Sequence, residues 1–283
     1  MAGASMKDIK LRIKSVESTL QITKAMELVA SSKLRKAKER QEKCRPYFTG
    51  LKQTLESIET ATRDFSSPYQ QHREVKKRCL IVIAGDRGLA GGYNSNVFKS
   101  VLPMLEEGSV CVLPIGKRTV EFFARNGVEM LTTEFAEAAS VSVSDCFTIS
   151  NLITQGYLSG QYDEVSVVYT RFVSMLTQTP ARDALLPLEK LEAKEETGVR
   201  QLVLYEPSPS AVYDAIVPNY IAGMIYGAMS ESVASELGAR RTAMDAASKN
   251  ASEMIDDLSL RYNRARQGAI TQEITEIVAG AEH

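Results

Sequence analysis

Histidine is nearly missing from this chain: His72 and His283 are the only two, which leaves no pool for a His-centred metal or acid/base site. Most hydrolase triads are thereby excluded. Paired cysteines are missing too. Cys44, Cys79, Cys111 and Cys146 stand 32 or more positions apart, so there is no CxxC, zinc spacing or disulfide framework, and the usage points to a reducing compartment. Long apolar runs are absent. The longest uncharged stretches are 146–162, rich in Ser, Thr, Asn, Gln and Gly, and 215–230, only 16 residues with Pro218, Asn219, Gly223 and Gly227; a spanning helix needs about 20 mainly apolar residues. The first residues show neither an apolar signal core nor a Ser/Arg-rich transit pattern, and the expectation is a cytosolic protein. An excess of charge is lacking as well. Lys+Arg 34 against Asp+Glu 35 gives −1 and a pI near 6.2, which argues against a whole-chain electrostatic nucleic-acid binder. What remains is 283 residues with 44% hydrophobic content, enough for a real core in one large domain or two modest ones.

The clearest pattern is at the amino-terminal end. Alternating steps of three and four from Met6 visit Ile9, Ile13, Val16, Leu20, Thr23, Glu27, Ala30, Leu34, Ala37, Gln41, Cys44, Phe48, Leu51, Leu55, Ile58, Thr62 and Phe65, of which fourteen of eighteen are apolar. A sustained 3.5-residue period is a coiled-coil seam. Pro46 is expected to kink or interrupt that helix without shifting the register. A second long helix is expected over about 211–278, with seam positions Ile221, Ile225, Ala228, Val233, Leu237, Met244, Ala247, Ala251, Met254, Leu258, Tyr262, Ala265, Ala269, Ile274 and Ile277. Two long helices from opposite ends of one chain pair antiparallel if the middle brings them together. Small alanines would permit close approach.

The middle has another texture. Short β-branched runs at Cys79–Ala84, Val110–Leu113 with Ile115, Val128–Thr132 and Val165–Tyr169 alternate with helical candidates Asn96–Leu105, Lys117–Asn126 and Ser144–Ser159. That alternation predicts a parallel α/β sheet. Phe172–Leu176 and Ala184–Leu188 read as a closing strand pair, and residues 189–200 as a charged loop, with Pro207, Pro209 and Pro218 punctuating the return to helix. The organisation predicted is therefore a helix over 1–65, a Rossmann-like α/β domain over 75–205 and a helix over 211–283.

Candidate chemistry is sparse. Gly85-Asp86-Arg87-Gly88-Leu89-Ala90-Gly91-Gly92 follows the first strand where α/β proteins place phosphate loops, but it fits neither the P-loop nor GxGxxG. The competing reading is a tight turn with close helix–strand packing, with Asp86 and Arg87 as possible interface residues. Gly116-Lys117-Arg118-Thr119 lacks the upstream glycine of a P-loop. Asp256-Asp257 and Glu195-Glu196 are adjacent pairs that diverge by about 100° on a helix and do not converge on a substrate. Basic residues crowd the first fifty positions, twelve Lys/Arg against five Asp/Glu, without interleaved aromatics, which suits a solvated or partner-facing helix better than a nucleic-acid surface. Ile22, Met26 and Val29 form a second apolar stripe, and a helix apolar on two faces calls for more than one partner, unless the stripe is an ordinary core contact.

Four segments carry a specific resemblance: Ile22–Ala30, Arg240–Asn250, Tyr262–Gln267 and Ile270–Ala281, together with the turn from Gly85 to Asn94 and the segment Ile115–Gly127. They resemble the gamma subunit of F-type ATP synthase over essentially the whole chain, departing at Gly268, where a better helix former is usual, and in the final residues. The resemblance implies the central rotor shaft, a non-catalytic subunit of a proton-transporting two-sector ATPase, without cofactor or metal of its own. It implies a collar of alpha and beta subunits around the coiled coil, and an epsilon subunit and membrane c-subunit ring at the α/β domain. It also implies peripheral attachment at the cytoplasmic face of the cell membrane. By the same resemblance Met26 faces the beta subunits, Arg240, Gln267 and Thr271 make polar contacts with the collar, and Lys33, Arg35 and Lys36 meet acidic loops of the beta subunits. The alternative is an α/β nucleotide-binding enzyme with coiled-coil arms; a third reading is a scaffold that binds nucleic acid through its basic arm.

Overall fold

The computed structural model describes residues 6–61, 65–190 and 203–281. The seam of the first helix predicts its burial closely. Helix α1 (Met6–Ala61) buries Ile9, Thr23, Ala30, Leu34, Leu55 and Ile58 and half-buries the seam positions between them, while Met6 at its start is exposed. Pro46 lies inside α1 and does not interrupt it: the ring removes one hydrogen bond, and the packed seam on either side keeps its register across it.

After α1 come β1 (Lys77–Ile83), α2 (Tyr93–Glu106), β2 (Ser109–Ile115), α3 (Lys117–Arg125), β3 (Glu129–Met130), α4 (Val143–Leu158), β4 (Glu164–Phe172), β5 (Gln178–Leu186) and α5 (Pro209–Ala281). The sheet order is β3-β2-β1-β4-β5; the first four strands are parallel and β5 runs antiparallel to β4. The expected closing pair is shifted. Residues 173–177 form the turn, closed by the Ser174 amide donating to the Thr177 carbonyl at 3.0 Å, and β4 itself extends through Phe172 to pair with β5. Polar Ser174 and Thr177 favour this turn over a strand because the Ser174 hydroxyl accepts from the Leu176 and Thr177 amides. Residues 191–200 of the expected charged loop, with Glu195 and Glu196, lie outside the described residues.

The chain forms two compact units, one of Ser32–Ala239 and one of Met1–Ser31 with Arg240–His283. Within the first, alternate strand residues feed two cores. Leu80, Val82, Val112 and Val168 pack with Val97, Val101 and Phe123 of α2 and α3. Cys79, Ile81, Leu113, Ile115, Val165 and Val167 pack on the other face with α4, with Leu55 and Ile58 of α1 and with Val217–Met229 of α5. Full burial of both faces is what an all-parallel centre requires. Pro218 falls inside α5, and its carbonyl accepts from the Ser150 hydroxyl at 2.5 Å.

In the second unit the helices run antiparallel, with the hydroxyls of Thr23 and Ser248 2.7 Å apart and Arg241 3.8 Å from Glu27. Two polar seam positions, Thr23 and Glu27, are thus paired. On α5 Met244, Ser248, Ala251 and Leu258 are buried and Ile255 is half-buried, while Met254 is exposed: the seam keeps its alternating steps of four and three, and the expected inward position at Met254 is taken by Ile255. From Arg266 to Val278 every residue is exposed, so Ala269, Ile274 and Ile277 are not core positions within this chain.

Candidate functional site

The site residues read from sequence do not converge on a pocket. Met26 is half-buried on α1, Arg240 is partly exposed, and Gln267 and Thr271 are exposed on α5, where the Thr271 hydroxyl donates to the Gln267 carbonyl at 2.9 Å. Lys33, Arg35 and Lys36 are exposed on α1, Arg35 lying 3.8 Å from Glu39. Of the second stripe, Ile22 is 59% and Val29 54% exposed, and neighbouring Leu28 reaches 71%. The ordinary core contact is therefore excluded for Ile22 and Val29. These apolar side chains, with Ile270, Ile274, Ile277 and Val278 on α5, leave helix surface exposed that costs free energy in water at roughly 25 cal/mol per Å².

The glycine turn resolves differently. In a sheet of this order, ligands sit at the carboxyl ends of β1 and β4, where the strand order reverses. The turn after β1 bends through Leu89 at φ 64° and Gly91 at φ 55°. Asp86 projects from it, and its carboxylate accepts from the backbone amides of Lys117 at 3.2 Å, Ala138 at 2.8 Å and Ala139 at 3.1 Å. The first of these is the amino terminus of α3, an anion-binding position. The chain's own carboxylate fills it. Gly116, at φ 103°, lets β1 and the α3 turn approach, since a Cβ there would lie 2.2 Å from the Ala84 carbonyl oxygen. Beside it Lys117 and Glu137 form an exposed ion pair at 2.5 Å that raises the lysine and lowers the carboxyl from their ordinary ranges.

The rest of the crevice is covered by α5. The hydroxyls of Tyr93 and Ser232 lie 2.7 Å apart, and the Ser235 hydroxyl donates to the Thr170 carbonyl at 3.0 Å. A Cβ on Gly85 would come within 2.9 Å of the Glu236 carboxylate. Glu231 is partly buried, with its Oε2 buried and without a hydrogen-bond partner; burial pushes its carboxyl up from the ordinary value, with the Phe172 backbone and Arg171 opposing and Asp183 adding to the shift. Sequence reasoning passed over these α5 residues, because Ser and Glu on a long helix look like solvated positions. The one available signal was their clustering at 230–236 beside a stretch without charge. Among the described residues no group of three or more His, Cys, Asp or Glu is placed to hold a metal, and no helix is long and apolar enough to cross a membrane.

Comparison with known proteins bears on the same residues. A family model described as ATP synthase matches residues 5–283. The ATP synthase gamma chain of Alkaliphilus metalliredigens is 48% identical, with 99% of each chain covered, and that of Ruminococcus albus is 47% identical over 97% of this chain and 96% of its own. The sodium-ion-specific ATP synthase gamma chain of Acetobacterium woodii is 42% identical, with 98% of each covered. Among solved structures, a chain of the Euglena gracilis mitochondrial ATP synthase rotor superposes with TM-score 0.64 at 18% identity, covering 94% of this chain and 98% of its own. A chain of the Tetrahymena thermophila mitochondrial ATP synthase central stalk and c-ring superposes with TM-score 0.58 at 24% identity, covering 80% and 99%. These two share the fold.

Proposed function

The chain belongs to the gamma-chain family of ATP synthase, and from that premise we propose that it is the central rotor shaft, coupling ion flow through a membrane ring to ATP synthesis and hydrolysis in beta subunits by rotation. Segments 1–65 and 211–283 act as the shaft inside a collar of alpha and beta subunits. Segment 75–205 docks on an epsilon subunit and the c-subunit ring, so the chain sits peripherally at the cytoplasmic face of the membrane. The shaft itself is non-catalytic. The observation that carries the reading is the pair of long helices whose mutual seam is buried while Ile22, Leu28, Val29 and Ile270–Val278 remain exposed. Apolar side chains at that exposure suit burial by further subunits.

The mechanism is differential contact. A shaft of two unlike helices presents a different surface in each direction, so each beta subunit meets different side chains and settles into a different conformation; rotation shifts those populations. Met26, Arg240, Gln267 and Thr271 supply such contacts. Lys33, Arg35 and Lys36 steer acidic loops through long-range attraction, contributing register more than affinity. The crevice closed by Asp86 and α5 weighs against the alternative of a nucleotide-binding enzyme.

The test is co-expression with alpha and beta subunits, followed by size-exclusion chromatography and ATPase assay with and without residues 259–283. The rotor reading expects a stable assembly whose ATPase depends on this chain and loses coupling on truncation. Retention of nucleotide by the isolated chain, with no assembly, would return the enzyme reading. Charge reversal at Lys33, Arg35 and Lys36 is expected to slow rotation-coupled hydrolysis and flatten its salt dependence; unchanged kinetics would remove the steering role.

A further inference from the structure

Two fully buried serines on the part of α5 inside the larger unit ask for a reason. Ser232 and Ser235 are both 0% exposed. With Glu231 and Glu236 they form two polar stripes, each with a one-turn spacing. Glu231 and Ser235 face β4. Pairing of β4 with β1 ends at Val168, and beyond it the Thr170 carbonyl accepts from the Ser235 hydroxyl at 3.0 Å, with the partly buried Glu231 carboxyl one turn before Ser235 and its Oε2 unpartnered. Ser232 and Glu236 face the turn after β1, through the Tyr93 hydroxyl and the close approach at Gly85. On the α1 side Leu34 packs with Ala234 and Leu237, and Lys38 Nζ lies 4.4 Å above the Phe172 ring. The stripes end just before Ala239, where this compact unit ends and α5 runs on unbroken.

Apolar burial is non-directional, so a helix in an apolar groove can turn or slide with little change in buried area. Hydrogen bonds to fixed atoms do not permit this: one residue of slip moves a side chain by about 100° and 1.5 Å, which breaks them. We propose that Ser232 and Ser235, bonded to the Tyr93 hydroxyl and the Thr170 carbonyl and flanked by Glu231 and by Glu236 close against Gly85, form a clamp that fixes the rotational register of α5 on the α/β unit and bears the twisting load in the working rotor. These are positioning residues. The inference rests on the rotor reading above.

The experiment uses the assembled complex carrying Tyr93→Phe with Ser235→Ala, which deletes two hydrogen bonds with little change in volume. Ile153→Val in the α4 core serves as a destabilised control outside the clamp. ATPase is measured unloaded, and then ATP consumed per revolution while a viscous load is attached to the exposed face of α4. Each buried bond is worth roughly a factor of ten in the ratio of clamped to slipped states. The double variant should keep unloaded ATPase within about twofold of the parent and consume at least about twofold more ATP per loaded revolution, while the control stays at the parent value. The single variants, which each keep one bond, should fall between. An unchanged ATP cost per loaded revolution in double and single variants overturns the clamp, and so does an equal rise in the control. Failure of the parent chain to assemble, or ATPase independent of it, would instead sink the rotor reading.

Discussion

The sharpest stability test is at Gly223, where α1 and α5 touch inside the larger unit. A Cβ at this position would lie 2.2 Å from Phe48 Cδ1, 2.7 Å from Cγ and 2.8 Å from Cε1. Those atoms include the root of the ring, so a small swing of its far edge gives no relief. Phe48 is a seam position of α1, bracketed by Tyr47 at 5.2 Å and Tyr226 at 6.0 Å between ring centroids. Gly223→Ala removes a glycine from a helix interior, a gain of about 1 kcal/mol, and overpacks a formed contact, a cost of about 1–3 kcal/mol. The overpacking wins here because a ring carbon at 2.2 Å forces Phe48 out of its place and forfeits its burial as well. The expected net loss is about 1–2 kcal/mol, a fall of a few degrees in thermal midpoint for a chain of this size. The double-mutant cycle makes the reasoning refutable. In a Phe48→Ala background the obstruction is gone, and Gly223→Ala should stabilise by about 1 kcal/mol. Thermal and urea unfolding of the four proteins would check the reversal of sign. Stabilisation by Gly223→Ala with Phe48 present would show that this contact does not set the helix separation.

Two further outcomes follow from the carboxylates at the carboxyl ends of the central strands. Asp86→Ala should cost about 2–4 kcal/mol in urea unfolding, since three backbone donors lose a charged acceptor, and hydrogen exchange should speed at Lys117, Ala138 and Ala139; unchanged protection there would deny the turn its anchor. Glu231 has a folded-state pKa raised above its unfolded value by burial, with Tyr169, Arg171 and Asp183 around it. Its stabilising contribution is therefore present below the unfolded value and lost as pH rises through the folded one. Compared with Glu231→Gln, the parent should lose stability as pH rises above about 4.3, the ordinary glutamate value, and parallel stability curves for the two would contradict the assignment.

Much of this was legible in the sequence. The α1 seam could be read because a 3.5-residue period over so many turns leaves few other ways to bury Ile9 through Ile58. The strands could be read because burial on both faces demands β-branched runs such as Cys79–Ala84. The α5 seam was harder. Its alanines fit either side of the helix, so counting placed Met254 inward where Ile255 turns in. The limits of the last strands were misplaced because Val173, Met175 and Leu176 look like strand residues by type, while the turn is decided by the hydroxyl of Ser174. The role of Asp86 was hidden for another reason: its partners at 117, 138 and 139 are far away in sequence. The polar stripes of α5 were hidden because residue type alone does not distinguish a serine in water from one against Thr170.

The crevice filled from within has a consequence for what the α/β unit needs from outside. In open sheets of this kind the crevice at the carboxyl ends of the strands is where a ligand is bound. Here the occupant is covalently part of the chain, with Asp86 on the amides and α5 across the opening. A unit completed in this way needs no nucleotide to fill its crevice.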